Sequence, residues 1–525
     1  MRRFLAAMLP LLLTLPAGAL PPGLGDAGPT AWLLIEPTAD PFEFDLTLHA
    51  SDPDGRIRFL SLCLADDCAE HTAVPAGIAG EAAACIDGDS ASLSVRVRAP
   101  GYGVFPVVGT VTAGGCPLVG SDITETANGR VGVPPPLAPI PCAGGSEQVA
   151  SDVGITPDTV ELGAVIPASG FFSIATRDAI AGIRAAAARI NAAGGICDRT
   201  LNVTTIDDGG DTQLGRTFVQ DLAQQTFALV GMSWWPTLAA AIEGGDIAAA
   251  GIPVIGTSGE SASEFAENLV FPLGPGRGAF ARIAAPHAYQ AGARSFALVW
   301  NDPFGTGVPE ALAAALASMP GASLTAERRV SISEPSYQAV INDIRTQCET
   351  RTGGMCDAVV LALDSSSGVR FFQAWHQADA PATQLIAGPH MLRSRFPADS
   401  GECHGMVSWA PLEAPVPPAG PPVAEYEAAL LGSSPTADPL NPLAEMAYAA
   451  TMLAAHAIGR AGTNPTRAHV QAILSSETFD LGLTHQPLSW AQTRHANRSM
   501  RGYRALVPPA GDPAWEHATG WLSDG

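Results

Sequence analysis

Apolar positions along the chain follow two different periods, and the change between them falls near residue 154. From residue 31 to about residue 133, apolar and polar residues alternate, as in FEFDLTLHA (42–50) and SLSVRVRA (92–99). Gly, Pro and Asp separate these runs at short intervals. Alternation with period two is typical of half-buried strands. The front region, residues 30–133, therefore predicts a small all-β sandwich of antiparallel strands.

From residue 154 onward, short buried runs alternate with longer amphipathic segments. VELGAVI (160–166) is followed by an Ala-rich segment (174–195), and the order repeats several times before a second set begins at SFALVW (295–300). This alternation predicts an α/β fold with parallel sheets. We expect two doubly wound lobes joined by a hinge over residues 154–510, preceded by a Pro- and Gly-rich linker over residues 134–153.

Composition narrows the classes of function. The chain has 525 residues, of which 47% are hydrophobic and 15% charged, as expected for a globular protein of several domains. Every basic residue is Arg, which excludes a Schiff-base lysine and a P-loop lysine. The net charge of −23 repels phosphate backbones, so we expect no nucleic-acid partner.

The first 19 residues have the pattern of a secretory signal peptide. Arg2 and Arg3 precede a short apolar core, and Ala17-Gly18-Ala19 resembles a cleavage site. No Cys follows this core directly, and no later apolar run is long enough to span a membrane. The sequence predicts cleavage near Ala19 and a periplasmic or secreted protein.

Nine cysteines suit an oxidising compartment. Zinc binding is the competing interpretation, but the chain has no C-x2-C pair, so we favour disulfides. Cys403 has no predicted partner. The predicted pairs are Cys63 with Cys68, Cys85 with Cys116, Cys142 with Cys197, and Cys348 with Cys356.

Two stretches of the front region, HASDPDGRI (49–57) and APGYGVFPVVGTVTA (99–113), resemble bacterial Ig-like modules of the PKD and cadherin-like kind. Cadherin-like modules hold calcium, which makes Asp52 and Asp54 candidate ligands. The alternative is a turn closed by Gly55 with solvated carboxylates. We favour the turn because turn chemistry alone explains these residues.

Several motifs after residue 154 occur in an order that is specific to one family. They are GITPDTVELGAVIPASG (154–170), AAAARINAAGGICDRTLNVTTIDDGGD (185–211), FALVG (227–231), GIPVIGTSGESASEF (251–265) and ALVWNDPFGTG (297–307). Over about residues 154–505 the chain resembles the type I solute-binding proteins of ABC importers, closest to the branched-chain amino acid and amide binders. The resemblance implies two lobes that close on a small solute and a membrane permease as partner, without a cofactor. We expect a monomer.

Candidate site residues follow from the positions of the turns. Ligands of open parallel sheets lie at the carboxyl ends of the strands, where helix N-termini present N–H groups. Ser169 follows the first strand, Ser233 and Thr237 the third, and Ser261 the fourth. The resemblance implies that the last two turns bind a ligand carboxylate, and Ser261 matches the family's Thr. The alternative role of Ser261 is to cap a helix, and the two roles can coincide.

The chain departs from the family's amino acid site at several positions. Ala175 replaces a Tyr, and two aromatic residues, Trp234 and Trp235, replace small ones. His390 stands where the family has the Glu that pairs with the ligand ammonium, and Asp364 followed by Ser365 takes the place of an aromatic. We expect one Trp to line the cleft while the other packs in the core. The changes favour an aromatic, planar or cationic ligand.

The remaining motifs point away from catalysis. GPGRGAF (274–280) lacks the lysine and spacing of a P-loop and predicts a hinge crossover loop. The family counterpart of DDGGD (207–211) is a turn, so the resemblance implies that Asp211 caps the next helix. No G-x-S-x-G or H-E-x-x-H motif is present, so we expect neither an enzyme nor a metal site. The predicted function is solute capture for an ABC importer; the alternative is a ligand sensor or adhesion-like binder on the same fold.

Overall fold

The structure is a computed structural model. It describes residues 137–144, 147–170, 173–232, 235–302, 304–378, 383–401, 403–508 and 513–524. In the front region it describes the backbone of four strands. The chain divides into two compact units, one formed by residues 1–132 and 434–437 and the other by residues 133–433 and 438–525.

The four strands of the front unit form one sheet, in the order β1-β2-β4-β3. The β1–β2 and β3–β4 pairs are antiparallel, whereas β2 and β4 are parallel. These strands coincide with the runs of period two. The Ig-like sandwich itself, with the alternative roles of Asp52 and Asp54, stays a prediction, since the residues between the strands lie outside the described part. The strands are β1 (Thr30–Pro37), β2 (Phe44–Ser51), β3 (Ser90–Ala99) and β4 (Gly103–Thr112).

The described residues of the predicted linker lie against the main unit. Ile140 is buried, and the N–H group of Ala143 donates to the carbonyl of Gly459. Further along, Asp152 accepts a hydrogen bond from the N–H group of Arg467. Because these bonds join positions more than 300 residues apart in sequence, the segment is fixed along its length to the lobe that follows it.

Lobe 1 has a five-stranded parallel sheet in the order β6-β5-β7-β8-β9. The order reverses between β5 and β7, which makes this point the topological switch where ligands of such sheets bind. The central strands are buried on both faces, as the continuous apolar runs predict. The strands are β5 (Thr159–Val165), β6 (Thr200–Ile206), β7 (Ala228–Val230), β8 (Val254–Thr257) and β9 (Val270–Pro272).

Helices cover both faces of this sheet. One face packs against two long Ala-rich helices, α1 and α12, which approach closely because Gly182 of α1 lies against the backbone of α12. The lobe 1 helices are α1 (Ser173–Ala192), α2 (Thr212–Ala223), α3 (Trp235–Glu243), α4 (Asp246–Ala250), α5 (Ala262–Ala266), α11 (Pro421–Ser433), α12 (Pro442–Ala461) and α13 (Arg467–Ser476), with a short hairpin β15 (Thr478–Phe479) and β16 (Leu488–Ser489).

Lobe 2 has a seven-stranded sheet in the order β11-β10-β12-β13-β14-β17-β18. The first five strands are parallel, and the last two form an antiparallel hairpin at one edge. This hairpin was not predicted, and β18 extends beyond residue 510. The strands are β10 (Ser295–Trp300), β11 (Ser323–Arg329), β12 (Ala358–Ala362), β13 (Gln384–Ala387), β14 (Val407–Ala410), β17 (Ser499–Leu506) and β18 (Ala514–Ser523).

The helices of lobe 2 pack on both faces of its sheet over two separate apolar cores. Phe371 and Trp375 stack in one core at 5.4 Å between ring centroids. The helices are α6 (Ala279–Gln290), α7 (Val308–Ala317), α8 (Tyr337–Thr352), α9 (Ser365–Gln377) and α10 (Phe396–Ser400), with a short 3-10 helix at Pro389–Met391. None of the helices in the described residues is long and apolar enough to cross a membrane.

The chain passes between the lobes three times, through residues 273–278, 411–420 and 490–498. These crossovers bond to each other and to both lobes: Asn497 donates to the carbonyl of Pro411 at 2.8 Å, and His495 stacks on Phe265 at 3.9 Å. The first crossover coincides with the GPGRGAF motif, where a hinge loop was predicted. Two α/β lobes connected by three neighbouring crossovers agree with the predicted fold class.

Two disulfides are present among the described cysteines, Cys142–Cys197 and Cys348–Cys356, and both are predicted pairs. Cys142–Cys197 fixes the segment before lobe 1 to the loop that ends α1. Cys403 is buried, and the sequence predicts no disulfide partner for it. Cys63, Cys68, Cys85 and Cys116 lie outside the described residues, so their pairing stays a prediction.

Thiol titration checks these pairings. Under denaturing, non-reducing conditions we expect Cys403 to react and the four cysteines of the two described disulfides to stay unreactive. With the two front pairs also formed, one thiol per chain is expected, and the Cys403→Ser variant should show none. Titration of most of the nine cysteines in the exported protein would contradict the disulfide assignment.

Candidate ligand-binding cleft

The carboxyl ends of the parallel strands of the two lobes meet at one cleft beside the crossovers. On the lobe 1 side lie the turns after β5, β7 and β8. On the lobe 2 side lie the turns after β10, β12 and β13. Contacts between the lobes at the cleft include the Arg277 stem against Gly307, the Arg393–Asp178 ion pair and the hydrogen bonds that Ser394 donates to Asp438. The predicted site residues that the structure describes are in or next to these turns.

The first turn is held by a carboxylate of the chain itself. Asp207 accepts hydrogen bonds from the N–H groups of Ala168 (2.8 Å), Ser169 (3.2 Å) and Gly209 (2.8 Å). Burial acts to raise the pKa of Asp207, but these bonds and one from the Ser169 side chain outweigh it and lower the pKa. Ser169 is exposed at the cleft edge with its polar groups engaged by Asp207, so its contact with a ligand stays a prediction.

The second turn leads into α3. The Thr237 hydroxyl is buried and donates to Asp208 at 2.6 Å, which ties α3 to the DDGGD turn. Burial raises the pKa of Asp208, although the Thr237 hydrogen bond favours the charged form. Asp211 caps α2 as predicted, accepting from the N–H groups of Gln213 and Leu214. Trp235 begins α3 and is half-buried, while Ser233 and Trp234 lie outside the described residues.

The third turn follows β8 and ends in a capping box. The Ser261 side chain accepts from the N–H group of Ser263 at 3.2 Å, and Glu264 accepts from the N–H groups of Ser261 (2.8 Å) and Gly259 (3.0 Å). The capping role predicted for Ser261 is therefore confirmed. Its role in ligand binding stays a prediction, and Glu264 already occupies two of the N–H groups assigned to a ligand carboxylate.

Glu264 is fully buried. Burial raises its pKa to about 7, even though the nearby Thr257 hydroxyl and the N–H group of Ser261 favour the charged form. Ser258 lies in the same turn with 6% of its surface exposed, and its hydroxyl makes no hydrogen bond to any described residue. A buried hydroxyl without a partner at the end of a strand is available to a ligand.

On the lobe 2 side, Asp364 acts as a helix cap. It accepts from the N–H group of Ser367 at 3.0 Å and from Asn301 Nδ2 at 2.9 Å, and 7% of its surface is exposed. Ser365 is the first residue of α9 and is half-buried. Because its oxygens already have these donors, Asp364 has less capacity to pair with a ligand ammonium group. The contact of Asp364 and Ser365 with a ligand stays a prediction.

His390 lies in the 3-10 helix after β13, and its ring packs edge-on against Phe304 at 4.8 Å. Its Nδ1 atom is buried and has no hydrogen-bond partner among the described residues. Burial lowers the pKa of His390 to about 4, and the charges of Arg393 and Arg277 act in the same direction. His390 is therefore neutral at pH 7 and presents an uncharged polar group to the cleft.

Arg277 was not among the predicted site residues, although its motif was recognised as a crossover. Its guanidinium carbon lies 3.9 Å above the centre of the Trp235 ring, and its Nε atom lies 3.5 Å from Oε2 of Glu260. Burial raises the pKa of Glu260, which the charge of Arg277 offsets only in part. The sequence signal for Arg277 was an arginine between two glycines in the predicted crossover loop.

Arg393 also joins the two lobes. Its Nη1 atom lies 3.3 Å from Oδ2 of Asp178 in α1, and Asn441 Nδ2 donates to the same oxygen at 2.9 Å. The pKa of Asp178 is raised, because the effect of burial exceeds the opposite effects of the Arg393 charge and the Asn441 hydrogen bond. Nowhere in the described part of the chain do three or more His, Cys, Asp or Glu side chains form a possible metal site.

Comparisons with known proteins agree with this fold. The family model described as "Periplasmic binding protein" matches residues 159–510, whereas no curated protein matches the chain. A fatty acid ABC transporter substrate-binding protein from Thermomonospora curvata is 15% identical over 72% of this chain and 95% of its own, with a TM-score of 0.59. A solute binding protein of an ABC transporter from R. palustris, in complex with 4-hydroxybenzoate, is 15% identical over 70% and 98%, with a TM-score of 0.59.

A third solved structure, a possible leucine/isoleucine/valine-binding protein from Rhodopirellula baltica, is 17% identical over 69% of this chain and 96% of its own, with a TM-score of 0.56. At these identities the structural likeness establishes the fold alone. The family match covers about two thirds of the chain and includes every described cleft residue. The chain therefore belongs to the periplasmic binding protein family.

Proposed function

We propose that this chain is an exported solute-binding protein that captures a small organic solute between its two lobes and delivers it to the permease of an ABC importer. The observation that carries the proposal is the convergence of strand-end turns from both lobes beside three crossovers. Such turns bind small ligands in open α/β sheets, and neighbouring crossovers act as hinges in two-lobed proteins. The signal peptide over residues 1–19 supports a periplasmic or secreted location.

The similar structures support a small organic ligand, since one is named as a fatty acid transporter component and another holds 4-hydroxybenzoate. The amino acid and amide class stays a prediction. Against it stand the loss of the ammonium-binding Glu at position 390 and the Trp at position 235. We propose no enzymatic activity and no cofactor, because no nucleophile or metal motif was found in the sequence.

A thermal-shift screen of the full mature chain tests this proposal. The compounds are amino acids, amides, aromatic acids and cationic amines. A ligand at 100 times its dissociation constant should raise the free energy of unfolding by about 2.7 kcal/mol, because it binds the folded state alone. If no compound and no fraction of a metabolite extract changes the stability, solute capture is contradicted.

The second candidate function is ligand sensing or adhesion, favoured by the separate front unit with its own four-stranded sheet. The two candidate functions predict different phenotypes for a strain that lacks this gene and is supplied with the identified ligand. Loss of uptake, with permease and ATPase genes beside this one, supports import. Normal uptake with a lost transcriptional response, and a neighbouring histidine kinase gene, supports sensing.

A further inference from the structure

We propose that the ligand is an organic carboxylate and that Arg277 binds its carboxylate group. This inference rests on the proposed function of the cleft and names the chemical class of its ligand. Three observations support it: the position of Arg277, its N–H groups that have no hydrogen-bond acceptor, and the hydrogen bonds that the surrounding carboxylates already accept.

Arg277 is held in place on both sides of the cleft. Its guanidinium lies on the face of Trp235 in lobe 1, while its stem passes Gly307 at the start of α7 in lobe 2. A side chain at position 307 would place its Cβ 3.0 Å from Cδ of Arg277, and Gly307 has a φ of +82° that also favours glycine. The backbone of lobe 2 thus leaves room for this arginine.

The guanidinium retains unused donors. Its Nε and Nη2 atoms are buried and make no hydrogen bond to any described residue, although Glu260 forms an ion pair at 3.5 Å. A guanidinium presents paired N–H groups in a planar fork that matches the two oxygens of a carboxylate. A buried donor without an acceptor is costly, so a ligand that supplies two acceptor oxygens gains affinity from this site.

Two carboxylates near the cleft already accept hydrogen bonds from the protein itself. Asp364 caps α9 and binds Asn301, and Glu264 binds the N–H groups of Gly259 and Ser261. His390 is neutral at pH 7. An ammonium ligand would meet the positive charge of Arg277, whereas a carboxylate would meet the donors of Arg277 and the hydroxyl of Ser258.

Glu260 has a separate role in this arrangement. It lies on the lobe 1 turn and neutralises part of the Arg277 charge when no ligand is bound. Because it competes with a ligand carboxylate for the same guanidinium, removing its charge should leave the affinity for a carboxylate unchanged or raise it. If the ligand is a zwitterion, Glu260 is also positioned near its ammonium group, and the same change then lowers the affinity.

The test compares head groups on two matched scaffolds by calorimetry with the full mature chain. The compounds are benzoate, benzamide and benzylamine, then hexanoate, hexanamide and hexylamine, together with phenylalanine. We expect a carboxylate to bind at least about tenfold more tightly than its amide. Arg277→Gln should weaken carboxylate binding about 10- to 100-fold, as expected for a lost charge-assisted hydrogen bond, and leave amide binding nearly unchanged.

Three further variants sharpen the result. Arg277→Lys keeps the charge and loses the fork, so its carboxylate affinity should fall between those of the wild type and Arg277→Gln. Arg504→Gln removes a partly exposed arginine that pairs with Val407 at the amino end of the parallel strands, opposite the cleft turns, and should bind as the wild type does. Glu260→Gln should bind simple carboxylates as tightly as the wild type or more tightly. If the ligand is a zwitterion, this variant should bind phenylalanine less tightly than the wild type does. Either pattern supports the carboxylate assignment if Arg277→Gln weakens binding.

The inference and the proposed function fail in different ways. Tightest binding by an amine or amide, or an unchanged carboxylate preference in folded Arg277→Gln, overturns the assignment of Arg277 and leaves solute capture standing. If neither this panel nor the wider screen yields any ligand, solute capture is contradicted and the inference falls with it. Circular dichroism confirms that each variant is folded before its binding is compared.

Discussion

We expect Glu264→Gln and His390→Gln to change the pH dependence of stability in opposite directions, relative to the wild type, between about pH 4.5 and pH 6.5. Burial raises the pKa of Glu264 from 4.5 to about 7, so the folded chain holds this proton more tightly than the unfolded chain does. The stability that this group contributes is present below pH 4.5 and is lost as the pH rises to about 7. Over that range the loss amounts to about 3 kcal/mol.

His390 acts in the other direction. Burial lowers its pKa from 6.5 to about 4, with the Arg393 and Arg277 charges contributing, so the folded chain resists protonation here. Its contribution is present above pH 6.5 and is lost as the pH falls to about 4, again about 3 kcal/mol. In the wild type the two effects largely cancel. The single variants should therefore diverge by about 4 kcal/mol between pH 4.5 and pH 6.5.

Urea unfolding at several pH values measures this divergence. Tryptophan fluorescence is a suitable signal, because every Trp except Trp32 lies beyond residue 230. Relative to the wild type, stability should rise with pH in Glu264→Gln and fall in His390→Gln. Gln at position 264 still satisfies the capping-box pattern, so any loss of capping energy shifts the curve without changing its slope.

Exposed residues provide the controls for this measurement. Glu349→Gln and His469→Gln remove one acid and one imidazole from exposed helix positions, and both should follow the wild-type curve. Asp178, Glu260 and Glu445, whose pKa values burial also raises, are present in both cleft variants and so contribute equally to their curves. Parallel curves for the two cleft variants would mean that neither group is desolvated in the folded chain.

The alternation of strands and helices was visible in the sequence because buried parallel strands and Ala-rich helices have different periods. The run VELGAVI corresponds to β5, and the Ala-rich segment after it corresponds to α1, with both boundaries within a few residues. The hairpin β17–β18 was missed. Its strands carry Arg, Glu and His among apolar residues, and they are specified by pairing with β14 rather than by local period.

The site was predictable only in part. Turns after strands indicated where Ser261 and Asp364 lie, but their partners depend on contacts that no local pattern reports. Glu264 occupies N–H groups that the family resemblance assigned to a ligand, and the visible signal was the S-x-x-E spacing of a capping box. The contact of Arg277 with Trp235 joins a crossover to a helix start, and it required the positions of both in space.

We expect Asp178→Asn to weaken ligand binding by about 100-fold or more. Asp178 and Arg393 join the two lobes at 3.3 Å, with 18% and 11% of their side-chain surfaces exposed. Hinge opening would separate and hydrate both groups, so the pair belongs to the closed form. Removing Asp178 leaves the buried charge of Arg393 without its carboxylate in the closed form, at a cost of about 3 to 5 kcal/mol. The binding free energy of a ligand that requires closure is then reduced by this amount.

A double-variant cycle with calorimetry distinguishes this mechanism from a general loss of stability. Asp178→Asn combined with Arg393→Gln leaves no stranded charge, so its affinity should return to within about tenfold of the wild type. Arg395→Gln is the matched control, because the Arg395–Asp399 pair lies two residues beyond Arg393 but is exposed and should change affinity less than about threefold. Equal losses in the single and double variants, or a lower stability of the unliganded chain with unchanged affinity, would show that the pair holds the lobes together in both forms. It would then have no part in ligand-driven closure.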